Sequence, residues 1–206
     1  MTAHEPGDTT LRFATVADVE TVAAIHADRI AEGFLVTLGP AFLRRLYRRI
    51  VLSPRAFLLV AVAPGGDTRT NRICGFVAVA ESTGGLYREY LLHDGVAAAV
   101  AATPGIIRAP RSVWETLRYG LRGGSHATGA EVLATAVASG FEQRGIGARL
   151  VRAAVDEIRR RGVGSARVVT ALGNVAAVRA YERGGFHVSG VDEVHRGVTQ
   201  QLLVWP

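Results

Sequence analysis

Between residues 131 and 162 the chain reads as an apolar strand, a turn and an amphipathic helix, and the turn holds three glycines, Gly140, Gly145 and Gly147, within eight residues. That order confines the fold. A strand that runs through glycines straight into a helix leaves unpaired N–H groups at the helix start. The helix must then lay its apolar stripe, Val151, Ala154, Val155 and Ile158, back on a sheet. Successive N–H groups and the positive end of the helix dipole suit a pyrophosphate, and Gly145 and Gly147 allow close approach without a Cβ clash. Two phosphate patterns fail. Leu150 stands where the third glycine of G-x-G-x-x-G belongs, and the chain has no lysine for a Walker loop. Alone, a turn of this kind often does no more than reverse the chain.

The rest of the chain alternates strands and helices. Leu11 to Ala14 is a short strand. Asp18 is placed to cap a helix to about Glu32, with Val19, Val22, Ala23, Ile25 and Ile30 on one face. Pro40 opens a helix to Leu52 whose stripe is Leu43, Leu46, Tyr47 and Ile50. Ala56 to Ala63 and Ile73 to Ala80 are continuous apolar strands around a turn that begins Pro64-Gly65-Gly66-Asp67, which predicts an antiparallel hairpin. Two or three helices are expected between Leu86 and Gly124, broken at Gly95, Pro104-Gly105 and Pro110. Ala166 to Ala171 is a strand, Asn174 to Arg183 a short helix stopped by Gly184-Gly185, and Phe186 to Val194 and Val198 to Val204 are closing strands. An antiparallel front half with a strand–helix–strand–helix tail predicts a mixed α/β sheet. The expected organisation is a flexible tail over residues 1–10 and one domain over 11–206, with a helical insertion at about 86–129.

Composition removes several function classes. Hydrophobic residues make up 49% of the chain, enough for a substantial core. The one cysteine, Cys74, can form no internal disulfide, and its apolar strand suggests a packed thiol. No start resembling a signal peptide and no apolar run of about 20 residues is present, so a cytoplasmic location without a membrane partner is expected. The formal charge of +6 comes entirely from arginine, without the basic stripe and stacking aromatics of a nucleic-acid binder, so no nucleic-acid partner is expected. Arg44, Arg45, Arg48 and Arg49 read as a solvated helix face; their sharper reading is attraction of an anion. His93, His126, His187 and His195 lack metal-ligand spacing, and no metal is expected. His26 reads as an ordinary histidine on a helix surface.

Downstream of the turn stands Asn174, followed by Ala177, Tyr181, Gly185 and Phe186: N-x-x-A-x-x-x-Y-x-x-x-G-F. With this second element the chain resembles the GNAT superfamily of N-acetyltransferases. Glu142 to Gly147 falls on that family's pyrophosphate pattern, Q/R-x-x-G-x-G/A, and the order of elements fits from about Leu11 to Val204. One departure is plain. Glu142 occupies the Gln/Arg position, and an ionised carboxylate cannot donate to a phosphate. Arg144 and Arg149 are the expected compensation, and Glu142→Gln is expected to leave coenzyme affinity equal or better.

The resemblance implies a mostly antiparallel mixed sheet, flanked by helices, whose central parallel pair splays apart. It implies acetyl-CoA in the V, with the pyrophosphate over Gln143, Arg144, Gly145, Ile146, Gly147 and Ala148 and the pantetheine along the backbone of Ala136, Val137 and Ala138. Asn174 would touch the pantetheine or an ordered water, cap its helix, or do both. Tyr181 would protonate the departing thiolate, and Glu131 would take the amine's proton, directly or through water, unless it is only an exposed strand-edge carboxylate. The implied reaction is direct acetyl transfer to a primary amine, with a small-molecule acceptor expected ahead of a protein N-terminus or lysine. A non-catalytic CoA-binding domain is the third reading. A monomer or homodimer is expected.

Overall fold

The computed structural model describes residues 9–30, 36, 38–64, 72–82, 85–86, 129–195 and 198–206. Within them lie β1 (Thr10–Phe13), α1 (Val19–Arg29), α2 (Pro40–Leu52), β2 (Ala56–Ala63), β3 (Arg72–Ala80), β4 (Ala130–Val137), α3 (Ile146–Arg160), β5 (Ala166–Ala171), α4 (Val175–Arg183), β6 (His187–His195) and β7 (Val198–Trp205). The helices expected between 86 and 124, and most of the β2–β3 turn, lie outside the described residues.

The strands form one seven-stranded sheet in the order β1-β2-β3-β4-β5-β7-β6. Every neighbouring pair is antiparallel except β4 and β5. Its two faces are covered by different helices. Ile146, Leu150, Val151, Ala154, Val155 and Ile158 of α3 pack on one face over Phe57, Leu59, Val77 and Val132. Val22 and Ile25 of α1 and Leu43, Leu46, Tyr47 and Ile50 of α2 pack on the other, over Leu58, Val60 and Phe76. With both faces covered, β2 and β3 bury almost every residue, which is why they read as unbroken apolar runs without alternation. Leu150 and Ile158 have no exposed surface, and burying each contributes ~2 kcal/mol.

Three expectations change. Thr9 and Thr10, expected in the tail, are held by the sheet: Thr9 is buried, its carbonyl accepts from Arg149 Nη2 at 2.6 Å, and Thr10 pairs with Val62. Helix α1 ends at Arg29, where Ile30 leaves helical geometry (φ −119°, ψ 51°). Asp18 does not cap α1 with its side chain. It lies in a short 3₁₀ turn, Val16–Asp18, where Oδ2 accepts from the Thr15 N–H at 2.7 Å, and it binds Arg12 through both oxygens at 2.7 and 2.8 Å.

The Arg12 fork, aided by Thr15, pulls the Asp18 carboxyl down to about 2, against an opposing effect of burial. A carboxyl held low stabilises the fold above its unfolded value near about 4, by on the order of 2 kcal/mol, and that contribution drains away as pH falls from about 4 to about 2. Asp18→Asn should therefore lower the melting temperature at neutral pH by several degrees, and the gap from the parent protein should close toward pH 2. A gap that stays constant across that range would remove the ion pair as its cause.

Candidate acetyl-donor site

Strands β4 and β5 are held together only at their beginnings. Ala130 pairs with Ala166 and Glu131 with Arg167, and the ladder stops there. Beyond that point β4 continues to Val137 on β3, while β5 continues to Ala171 on β7. The sheet therefore opens into a V, with the edge of β4 from Val132 onward unpaired with β5. The Ala138 N–H donates to the Cys74 carbonyl at 2.9 Å, so alternation points the main-chain groups of Ala138 and Ala136 at β3 and those of Val137 and Thr135 into the V. Of the three residues expected along a pantetheine, Val137 presents its backbone to the opening, whereas Ala136 and Ala138 are turned away.

A bulge decides which side chains of β4 face which helices. Ala78 pairs with Ala134 and Val79 with Val132, leaving Leu133 as an extra residue. Before the bulge Ala130 and Val132 face α3; after it Ala134 and Ala136 face α1 and α2. The flip turns Thr135 and Val137 toward α3 and α4.

At the open end of the V, the chain leaves β4 and enters α3 through three left-handed residues, Gly140 (φ 82°), Gln143 (φ 60°) and Gly145 (φ 73°). Gly145 precedes α3, and no side chain caps that helix. The N–H groups of Ile146, Gly147 and Ala148 are those a helix start leaves without intrahelical acceptors. The side chains of Ile146 and Ala148 are buried, so these residues offer a ligand only their amides. A Cβ on Gly147 would meet Ala180 and Val137 at 3.6 and 3.7 Å, ordinary contact distances, so packing does not require glycine there. Arg144 folds back to the Gly140 carbonyl at 3.0 Å, and Arg72 and Arg144 lie over the Phe141 ring at 5.0 and 5.2 Å. A helix start without a capping side chain, with Arg72 and Arg144 over the neighbouring Phe141 and an edge of β4 unpaired with β5 beside it, suits a diphosphate joined to an amide-bearing arm.

Residues 54–186, well over half of the chain, match the Acetyltransferase (GNAT) family. The chain belongs to the GNAT family. With it, the protein is an acyltransferase. No curated protein matches the chain. Solved structures share the fold at low identity. YncA of Salmonella typhimurium, solved with its cofactor acetyl-CoA, superposes with a TM-score of 0.61 at 15% identity over 96% of this chain and 93% of that one. AAC(6')-Ib in complex with paromomycin and acetyl-CoA gives 0.59 at 15% identity, with the same coverage. The ribosomal-protein-S18-alanine N-acetyltransferase of Escherichia coli gives 0.58 at 14%, also over 96% and 93%.

In this GNAT protein Tyr181 is buried in the core under α3, edge-on to Phe186 with ring centroids 5.7 Å apart. Gly184 makes that seating possible, because any Cβ there would overlap Val151 of α3. Burial pushes the phenol above its ordinary value, and Thr135 opposes the shift. The two hydroxyls are near one another but not aligned as a hydrogen bond: Thr135 Oγ1 is buried without a hydrogen-bond partner among the described residues. Thr135 was invisible in the sequence, since simple alternation from Val132 puts it on the wrong face.

Asn174 caps α4, its Oδ1 accepting from the Ala177 N–H at 3.1 Å. Its Nδ2 and the second lone pair of Oδ1 remain to meet a ligand, and the residue is exposed while Tyr181 is buried. Glu131 faces the α1 side of the sheet at the closed end of the V, where Oε2 receives Arg167 Nη2 at 2.9 Å. It is an inter-strand ion pair, not an exposed strand-edge carboxylate.

Other candidates lie elsewhere. His26 is buried, not on a helix surface: its Nδ1 is 2.6 Å from the Tyr47 hydroxyl and its ring stacks on Phe76, and burial takes it down to about 4. Cys74 is buried, with its thiol pushed up by burial and turned to the Ala61 carbonyl. The α2 arginines line a depression of about 390 Å³ with Ala41 and Leu52. That helix packs over β2 and β3, away from the V. Among the described residues no helix is long and apolar enough to cross a membrane.

Proposed function

We propose that this protein transfers the acetyl group of acetyl-CoA directly to a primary amine of a small molecule. The observation that carries the reading is the V: a freed edge of β4 ending in a turn whose amides have no capping side chain. Acetyl-CoA, when bound, supplies an acetyl group already activated as a thioester. The chain's own part is to hold and to move protons. The amides from Gln143 to Ala148 would face the diphosphate, and the main chain of Val137 and Thr135 would pair along the pantetheine. Tyr181 keeps a proton on its phenol oxygen, available to a departing thiolate. Asn174 Nδ2 is the donor we assign to the arm or to a water on it. Glu131 is assigned as the final acceptor of the amine's proton, through water, because its carboxylate is already engaged by Arg167.

A small acceptor is favoured by where the chain spends its length. β3 and β4 are adjacent antiparallel strands, with Ala80 opposite Glu131. A hairpin there needs roughly two to five residues. The chain instead carries residues 81–129 between them, and that length in sequence favours a small-molecule acceptor.

The test is thiol release from acetyl-CoA against amino sugars, polyamines, amino acids and peptide N-termini. Release is expected with a small amine, with kcat/KM rising as the amine loses its proton. Glu131→Gln should lower kcat by roughly 10- to 1,000-fold with coenzyme affinity kept. Release with peptides alone would move the acceptor to the protein class. Tight acetyl-CoA binding with no release to any amine would make the domain a coenzyme binder.

A further inference from the structure

Glu142 is the residue by which the turn departs from its family's pattern, and its contacts supply a reason. Its own amide, Gly140's at 2.7 Å and Phe141's hold the carboxylate below the usual range, with Arg29 adding to them. The other oxygen, Oε1, lies 2.8 Å from Arg29 Nη2. Arg29 is the last residue of α1, the helix on the opposite face of the sheet from α3. The carboxylate thus closes the first half of the turn, at residues 140–142, and leaves the amides from Gln143 onward uncovered.

The compensation expected from Arg144 and Arg149 is already committed. Arg149 holds the Thr9 carbonyl, and Arg144 holds the Gly140 carbonyl and lies over Phe141. Arg29 differs. Among the described residues Glu142 is its partner, and that contact uses one of the two terminal nitrogens of a five-donor fork. The pair sits partly exposed at the rim of the turn and cancels the charge that Glu142 alone would set against a phosphate.

We propose that Arg29 is a coenzyme-binding residue, delivered by Glu142 to the diphosphate of acetyl-CoA, and that Glu142 is its positioning residue. The assignment rests on the acetyl-CoA reading above. Two residues then do what a single glutamine or arginine at position 142 would do. The glutamate shapes the turn, and the arginine it holds donates to the phosphate. The earlier expectation for Glu142→Gln reverses, because an amide can still accept from Gly140 but no longer anchors a guanidinium.

Calorimetric titration of the full chain with CoA and with dephospho-CoA tests this, using the parent protein, Arg29→Met, Glu142→Gln and the double variant, each checked by melting temperature. Arg29→Met should weaken both ligands by roughly 10- to 100-fold, since both carry the diphosphate. Glu142→Gln should weaken both by a smaller factor, and the double variant should be no worse than Arg29→Met alone, because the glutamate acts through the arginine. Parent-like affinity in a folded Arg29→Met protein would overturn the proposal. So would a penalty seen with CoA and absent with dephospho-CoA, which would put Arg29 on the 3′-phosphate, and so would tighter binding by Glu142→Gln. A parent protein that binds neither ligand would instead remove the acetyl-CoA reading beneath it.

Discussion

Gly147→Asp should keep its fold and lose its coenzyme: calorimetry is expected to show acetyl-CoA affinity down by roughly 100- to 1,000-fold, with the melting temperature unchanged or slightly raised. The two halves of that result have separate causes. Gly147 has no left-handed backbone, and a Cβ there meets Ala180 and Val137 only at ordinary contact distances, so the side chain can be built without moving the protein. An acidic residue in the first turn of α3 also favours the helix dipole. The same carboxylate stands where the amides of Ile146 to Ala148 face outward. Two like charges about 4 Å apart in a partly screened site repel by about 4 kcal/mol. Gly147→Ala is the control, adding volume without charge, and should cost far less. Gly145→Asp would be a poorer probe, because its φ of 73° couples any side chain to backbone strain. Unchanged affinity in a folded Gly147→Asp protein would take the phosphate away from this turn.

What was legible in the sequence, and what was not, divides along a physical line. The stripes of α2 and α3 and the apolar runs of β2 and β3 are set by burial along one element, so their periodicity was visible in the chain. The parallel β4–β5 pair and its splay came through the family resemblance, not through any pattern in Ala130 to Val137. Features settled between elements left no local trace. The extra residue at Leu133 reverses the facing of Thr135, and nothing in Ala134-Thr135-Ala136 announces a bulge. Arg29 and Glu142 meet beyond the end of β4 from distant parts of the chain. His26 looked like a surface residue because its partner, Tyr47, belongs to another helix. Asp18 looked like a cap because the residue type suits one, while the fork of Arg12 drew it into a different bond. At Leu133 the deciding partner is the register with β3, and in the other cases it is a charged or polar side chain on another element.

Tyr181→Phe is the sharpest test of the chemistry. Removing one hydroxyl should lower kcat by roughly 10- to 1,000-fold while acetyl-CoA affinity and melting temperature stay close to those of the parent. Stability should hold because the ring carries the packing: Phe keeps the edge-on contact with Phe186 and the fit above Gly184. No well-formed hydrogen bond to Thr135 is lost, since Thr135 Oγ1 has none among the described residues. Burial raises the phenol above its ordinary value near about 10, so the proton stays on the oxygen throughout the neutral range. The activity of the parent should accordingly show no alkaline fall from tyrosine ionisation below about pH 10. A donor with a better thiol leaving group needs that proton less and should lose less activity in Tyr181→Phe than acetyl-CoA does. If the variant turns over at the parent rate, Tyr181 is a packing residue. If stability and activity fall together, the hydroxyl was holding α4 against the sheet, and the proton must come from water in the V.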